Sequence, residues 1–192
     1  MTHTAFESIL VMHASPVLAG VKPAALISLK KQQFPQLPAL AGEYTRMLRR
    51  KGLLLQVICQ CERHFLLLVY RPALLWKRLS EPAVRACLRR FGYRGRSPAD
   101  CLTLLKRRLA AEGGFPHEIG LFLGYPPEDV LAFQGEIPGE CKFCGYWKVY
   151  FHEEEARRLF SLFDRCREAY AEAFLSGKTV SQLLELPLPF AA

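Results

Sequence analysis

The spacing of apolar and polar positions changes several times along the 192-residue chain. Residues 38–51 carry apolar side chains three and four positions apart, a spacing that predicts an amphipathic helix ending at Gly52. Two apolar runs follow, at 53–61 and 65–71, and a polar tripeptide separates them, as in a β-hairpin. The second run is apolar at consecutive positions, so we expect a strand that is covered on both faces.

The rest of the chain alternates between helical and strand-like patterns. The predicted elements are a short strand and turn within 16–29, a basic helical region from 72 to about 91, a helix from a Ser97 N-cap to about 111, two short helices within 115–135, a strand at 146–151, a long helix from 153 to Gly177 and a short helical segment around 179–185. Helices interleaved with strands predict an α+β fold, in which a mixed or antiparallel sheet containing the hairpin packs with several amphipathic helices. We expect a single domain over residues 1–192, with weakly ordered tails at 1–15 and 186–192.

The distribution of charge adds a second feature. Hydrophobic residues make up 51% of the chain, which excludes a disordered protein, and the net charge is +8. Residues 46–108 contain 16 Lys and Arg against 3 Asp and Glu, whereas residues 109–192 contain 7 against 13. A basic segment of this kind binds a phosphate backbone or docks on an acidic protein surface. An acidic protein is therefore one candidate partner, and nucleic acid is the less favoured one.

The apolar run near the N-terminus does not have the composition of a membrane span. Residues 9–29 include His13, Pro16 and Lys22, which make the run too polar to cross a bilayer. No basic leader precedes it, so we expect no signal peptide. Seven cysteines in a chain that can bury a core without disulfides favour a reducing compartment, and we predict a cytoplasmic location.

Two cysteine pairs have spacings that are found in metal and redox sites. Cys59 and Cys61 share a strand face with apolar neighbours, which favours positions in the core. Cys141 and Cys144 instead form a C-x-x-C pair in a Gly/Pro-rich turn, where two thiols can bind a metal ion or cycle as a dithiol. A structural zinc site needs four ligands and the sequence has no second such pair, so we name Cys141 and Cys144 as metal candidates without assigning a site.

Three segments together resemble a known bacterial family. FPHEIGLFLGYPPEDVLAF (115–133), GYWKVYF (145–151) and CREAYAEAFLSGKTVSQLL (166–184) are similar to the family called domain of unknown function 3793, and the resemblance extends over residues 17–184. It implies a cytoplasmic single-domain protein with a link to redox or iron metabolism, and it assigns no catalytic residues. The C-x-x-C pair departs from the pattern expected of this family before the GYWKVY motif.

The leading functional hypothesis is a pocket for an anion, lined by the HEIG and GYWKVY motifs. Alternate residues of a strand share a face, so Lys148 is expected to lie between two tyrosines. A cation, aromatic walls and a helix N-terminus at His117-Glu118 suit an anionic small molecule or a redox- or iron-related cofactor of unknown identity. The candidate binding residues are Lys22, His117, Tyr146, Lys148 and Tyr150. The structural alternative is that the tyrosines cover the sheet and the lysine extends to solvent.

Two other classes of function stay open, and the sequence does not decide whether the protein is an enzyme. In an enzyme, His117 or Glu118 would transfer a proton, with Tyr125 as a further donor. In a partner-binding module, the basic segment 46–108 would contact an acidic protein or a nucleic acid.

Overall fold

The structure is a computed structural model that describes residues 3–95, 97–111 and 114–186. Its elements are α1 (His3–Leu18), β1 (Ala24–Lys30), α2 (Leu37–Leu48), β2 (Leu54–Gln60), β3 (His64–Tyr70), α3 (Pro72–Ser80), α4 (Pro82–Arg90), α5 (Pro98–Ala110), α6 (Ile119–Phe122), α7 (Pro127–Phe133), β4 (Phe143–Cys144), β5 (Lys148–Val149), α8 (Glu153–Leu175) and α9 (Val180–Leu183). Helices and antiparallel sheets confirm the predicted α+β class. The chain forms two compact units, 1–74 with 163–192 and 75–162, and the single-domain organisation stays a prediction.

The first unit contains a three-stranded antiparallel sheet in the order β1-β3-β2. In the central strand, Leu67, Leu68 and Val69 are all fully buried. Because successive side chains of a strand point to opposite faces, both faces of β3 are covered. The predicted hairpin and its doubly covered strand are therefore confirmed. Helix α1 packs on β1 and β3, and α2 packs on β2.

The N-terminal segment differs from its prediction. Residues 3–15 were expected to form a weakly ordered tail, but they belong to α1, in which Phe6, Leu10 and Ala14 are fully buried. Their spacing of four residues places them on one helix face, and burial of that face stabilises the helix. The helix includes Pro16 in its last turn and ends two residues later. At the other end, residues 187–192 of the predicted tail lie outside the described residues.

A bulge in β2 corrects the expectation for one cysteine pair. The pairing with β3 shifts between Val57 and Cys59, so that Ile58 is the extra residue and is buried. An extra residue reverses the alternation of faces beyond it. Cys59 is consequently half-buried and Cys61 is exposed, so the predicted core position of Cys61 is wrong.

The second unit contains α4 to α7 and the short β4–β5 hairpin. The predicted N-cap of α5 is confirmed, because the Asp100 N–H donates to the Ser97 hydroxyl and the Ser97 N–H donates to the Asp100 carboxylate. The predicted strand at 146–151 is reduced to Lys148–Val149. Within the described ranges, no helix is long and apolar enough to span a membrane.

Candidate functional site

The structure distributes the predicted site residues over both units. Lys22 belongs to the first unit. The other candidates belong to the second unit: His117, Glu118, Tyr125, Cys141, Cys144, Tyr146, Lys148 and Tyr150. Their proposed roles in binding and catalysis stay predictions.

Glu118 has a clear structural role in the second unit. Its side chain is 1% exposed, and one carboxylate oxygen accepts hydrogen bonds from Arg108 Nε at 2.5 Å and from the Tyr93 hydroxyl at 3.0 Å. Burial and the adjacent carboxylate raise the pKa of Tyr93, so the phenol stays protonated as the donor. Glu118 thus links α5 and the loop after α4 to the start of α6.

His117 is exposed, unlike its neighbour Glu118, and it packs on Phe133. The His117 ring is 4.9 Å from the Phe133 ring in an edge-on arrangement, and the Lys148 ammonium lies 5.4 Å from the centre of the same ring. Phe133 itself is 42% exposed. Two of the predicted residues therefore converge on one aromatic side chain at the surface of the second unit.

Asp129 determines the conformation of the GYWKVY motif. This 2%-exposed carboxylate accepts hydrogen bonds from Trp147 Nε1 at 2.7 Å and from the Tyr150 and Phe151 N–H groups at 2.9 Å each. The two N–H groups are directed to Asp129 rather than to a neighbouring strand, which is why β5 is shorter than predicted. The Tyr125 ring stacks on the Trp147 ring at 5.0 Å.

The predicted shared face of the three motif residues forms only in part. Lys148 is exposed, whereas Tyr146 and Tyr150 are half-buried. Tyr146 packs on Phe160 at 5.3 Å, and Trp147 packs on the same ring at 4.5 Å. Adjacent residues share a neighbour here because Tyr146 lies in the turn before β5, where strand alternation does not apply.

Lys22 is buried in the first unit. The residue lies in the connection between α1 and β1. It is 8% exposed, and its ammonium lies 5.7 Å from the centre of the Phe163 ring. Burial lowers the pKa of Lys22 from 10.5 to about 8. The lysine is thus a site of pH-dependent stability within its own unit.

The second unit contains a cavity whose lining is rich in arginine. It has a volume of about 200 Å³ and is lined by residues of α3, α4, the following loop and the start of α5. Three arginines reach it: Arg85 and Arg89, which are one helical turn apart on α4, and Arg94 in the loop. Trp76, which is 45% exposed, forms part of the wall. The cavity lined by these four residues is called the arginine cavity below.

The loop that carries Arg94 lies close against the first turn of α5. A Cβ atom at Gly95 would overlap the Asp100 side chain, so only glycine allows this approach. On the cavity's inner side, Tyr93 is held by its hydrogen bond to Glu118. The Glu118 cluster therefore supports the cavity wall rather than forming a site of its own.

No ion pair is available to the cavity arginines within the described part of the chain: Arg85, Arg89 and Arg94 have no carboxylate within 4.0 Å. By contrast, Arg78, Arg90 and Arg108 in the same unit are each paired with a glutamate. Like charges one helical turn apart repel each other by a few tenths of a kcal/mol. An anion between the guanidinium groups would remove this repulsion and supply the missing acceptors.

Sequence reasoning did not find the arginine cavity. In the sequence, Arg85 and Arg89 belong only to the predicted basic helical region from 72 to about 91, and Trp76 and Arg94 have no assigned role. The available signal was the local excess of basic residues in 46–108. Asp129 was likewise given no role in the sequence analysis, because an acidic residue in the first turn of a helix such as α7 is common.

The fold and the cavity define an α+β protein in which one of the two compact units contains a cavity lined by three arginines. The profile of a family described as "Protein of unknown function (DUF3793)" matches residues 10–184, and the chain belongs to this family. The family resemblance of the sequence is thereby confirmed. Comparison with curated proteins and with solved structures gave no match.

Proposed function

We propose that the protein binds an anionic small molecule in the arginine cavity. The observation that carries the proposal is that three arginines line one concavity and that none of them has a carboxylate partner among the described residues. Arginine presents a planar set of donors that fits phosphate and carboxylate oxygens in pairs. The chemical class is the one expected from the sequence, but the supporting geometry lies at a different place from the HEIG and GYWKVY motifs.

The size of the cavity favours a small ligand. Its volume of about 200 Å³ is below the roughly 300–1,000 Å³ of sites for drug-sized molecules. A single phosphate group with a small substituent fits this volume. The Trp76 indole offers an apolar ring at the wall, so we expect an aromatic phosphomonoester to bind more tightly than inorganic phosphate.

Tryptophan fluorescence provides a direct test, because the sequence contains only two tryptophans. Trp147 is 8% exposed, whereas Trp76 is 45% exposed and lines the cavity. Titration with phenyl phosphate is expected to give a saturable change in emission that disappears in Trp76→Phe. The Arg85→Ala/Arg89→Ala double variant should weaken binding by at least about tenfold, since each charge-assisted hydrogen bond contributes roughly 1.5–3 kcal/mol.

Charge alone has to be separated from the geometry of the cavity. Arg107→Ala removes the same charge from an exposed position of the same unit that does not line the cavity, and it should bind like the wild type. Equal weakening in the Arg107 and Arg89 single variants would refute the proposal. So would the absence of saturable binding of both phosphate probes. Two alternative functions stay predictions. One is an enzyme that uses His117 or Glu118 for proton transfer, and the other is a module that binds an acidic protein partner.

A further inference from the structure

The structure places two exposed thiols side by side in the second unit. Cys141 and Cys144 are both exposed, and their sulfur atoms are 3.9 Å apart. The Cys141 thiol also lies 3.6 Å from the carbonyl oxygen of Phe143, to which it donates. These contacts are independent of the arginine cavity, whose lining includes neither cysteine.

The turn that holds the two cysteines is fixed on both sides. Cys144 belongs to β4 and faces Lys148 of β5 in the antiparallel pair. Between the cysteines, the Phe143 ring contacts the Phe160 ring edge-on at 5.6 Å and the Arg157 guanidinium at 4.1 Å. With Phe143 held by packing, the sulfur atoms have to approach by only about 2 Å to reach the disulfide bond length of about 2.05 Å.

Zinc binding needs more ligands than this pair supplies. A structural zinc site uses four protein ligands. Within the described ranges, no three His, Cys, Asp or Glu side chains are grouped so that they could hold a metal ion. Two neighbouring thiols are the only protein groups that an internal disulfide needs, provided that an external oxidant such as a small disulfide takes up the two electrons.

We propose that Cys141 and Cys144 are a reversible dithiol–disulfide site that exchanges with low-molecular-weight disulfides. The thiolate of one cysteine attacks a sulfur of the small disulfide, and one small thiolate leaves while a mixed disulfide forms. The second cysteine then attacks the protein sulfur of that mixed disulfide and releases the second small thiol. The protein dithiol is oxidised by two electrons, the small disulfide is reduced to two thiols, and these take up the two protons.

The surroundings predict how the exchange depends on pH. Desolvation and the contact with Cys144 raise the pKa of Cys141, and the Lys148 ammonium opposes this shift in part. A raised pKa lowers the thiolate fraction at neutral pH, so exchange through Cys141 accelerates as the pH rises.

The other cysteines provide internal comparisons. Cys87, Cys101 and Cys166 are buried, and burial raises the pKa of each thiol. Cys61 is exposed, and hydrogen bonds from backbone N–H groups lower its pKa. Cys61 is therefore the competing nucleophile, and the experiment is best done in a Cys61→Ser background.

The test is incubation of the folded, reduced full-length chain with oxidised glutathione, followed by alkylation of free thiols and peptide mass spectrometry. The expected main product has an internal disulfide in the peptide that contains Cys141 and Cys144. Cys141→Ser and Cys144→Ser should each accumulate a mixed disulfide with glutathione at the remaining cysteine, because the resolving thiol is absent. Addition of excess reduced dithiol should return the oxidised protein to its starting mass.

Two results would overturn the proposal. One is that both cysteines stay fully alkylated under conditions in which Cys61 of the unmutated chain is glutathionylated. The other is that both cysteines carry separate glutathione groups and no internal disulfide forms. Circular dichroism of the single serine variants checks that they are folded, and the substitutions are at exposed positions.

Discussion

The buried Lys22 gives a prediction about stability that can be worked out in detail. At 8% exposure, and with the Phe163 ring among its neighbours, the ammonium has lost most of its contact with water. Desolvation lowers its pKa from 10.5 to about 8. The unfolded chain therefore binds the proton more strongly than the folded chain does. Charging Lys22 opposes folding at neutral pH, and this penalty is relieved as the pH rises from about 8 towards 10.5.

The magnitude follows from the two pKa values. Each unit of pKa difference corresponds to 1.36 kcal/mol, so the shift from 10.5 to about 8 amounts to roughly 3 kcal/mol of destabilisation at pH 7. Integration of the proton linkage shows that raising the pH from 7 to 9.5 removes about 2 kcal/mol of this destabilisation. Replacement by methionine removes the titrating group and keeps an unbranched side chain of similar length.

Urea unfolding of the wild type and of Lys22→Met at pH 7, 8 and 9.5 measures this effect. The free energy of unfolding of the wild type should gain about 2 kcal/mol relative to the variant between the lowest and the highest pH. Tyrosines with raised pKa values, such as Tyr44, are present in both proteins and cancel in the comparison. The control Lys30→Met replaces an exposed lysine of β1, and its difference from the wild type should change by less than about 0.5 kcal/mol. A constant difference between the wild type and Lys22→Met would refute the reasoning.

Three further substitutions test other parts of the structure by the same urea assay. Glu118→Ala removes the acceptor of the buried Tyr93 hydroxyl and of the half-exposed Arg108 guanidinium and should cost about 2 kcal/mol, and a loss below about 0.5 kcal/mol would show that the cluster is dispensable. Gly145→Ala places a Cβ atom against the Phe160 ring and should destabilise the protein by about 1–3 kcal/mol. An unchanged free energy of unfolding would show instead that the turn adjusts without cost. His152 has a positive φ of 49°, so His152→Gly should stabilise by up to about 1 kcal/mol, and a destabilised variant would contradict this account of the backbone.

The elements that were predicted correctly depend on interactions between residues close in sequence. The hairpin of β2 and β3 requires only two apolar runs and a short connection, and the cap of α5 requires Ser97 and Asp100 three positions apart. Helix α1 was missed because its stability comes from burial of one face against β1 and β3, which the apolar stripe alone did not reveal.

The candidate site was less accessible to sequence reasoning because it depends on contacts between distant segments. The arginine cavity combines Trp76 of α3, two arginines of α4 and Arg94 of a loop, and no spacing rule joins these positions. Glu118 was placed correctly at the start of α6, but its pairing with Arg108 and Tyr93 removes it from solvent. The anionic class of ligand was predicted from Lys148, its neighbouring tyrosines and the helix start at His117-Glu118, whereas the cavity proposed to hold it is apparent only from the fold.

Calorimetric titration of phenyl phosphate into three matched proteins tests the central claim most directly: the wild type, Arg89→Ala and Arg107→Ala. The two variants carry the same net charge and differ only in whether the missing arginine lines the cavity. The account predicts that the wild type and Arg107→Ala bind one equivalent with similar affinity and that Arg89→Ala binds at least about tenfold more weakly. Equal affinity for Arg89→Ala and Arg107→Ala would contradict it.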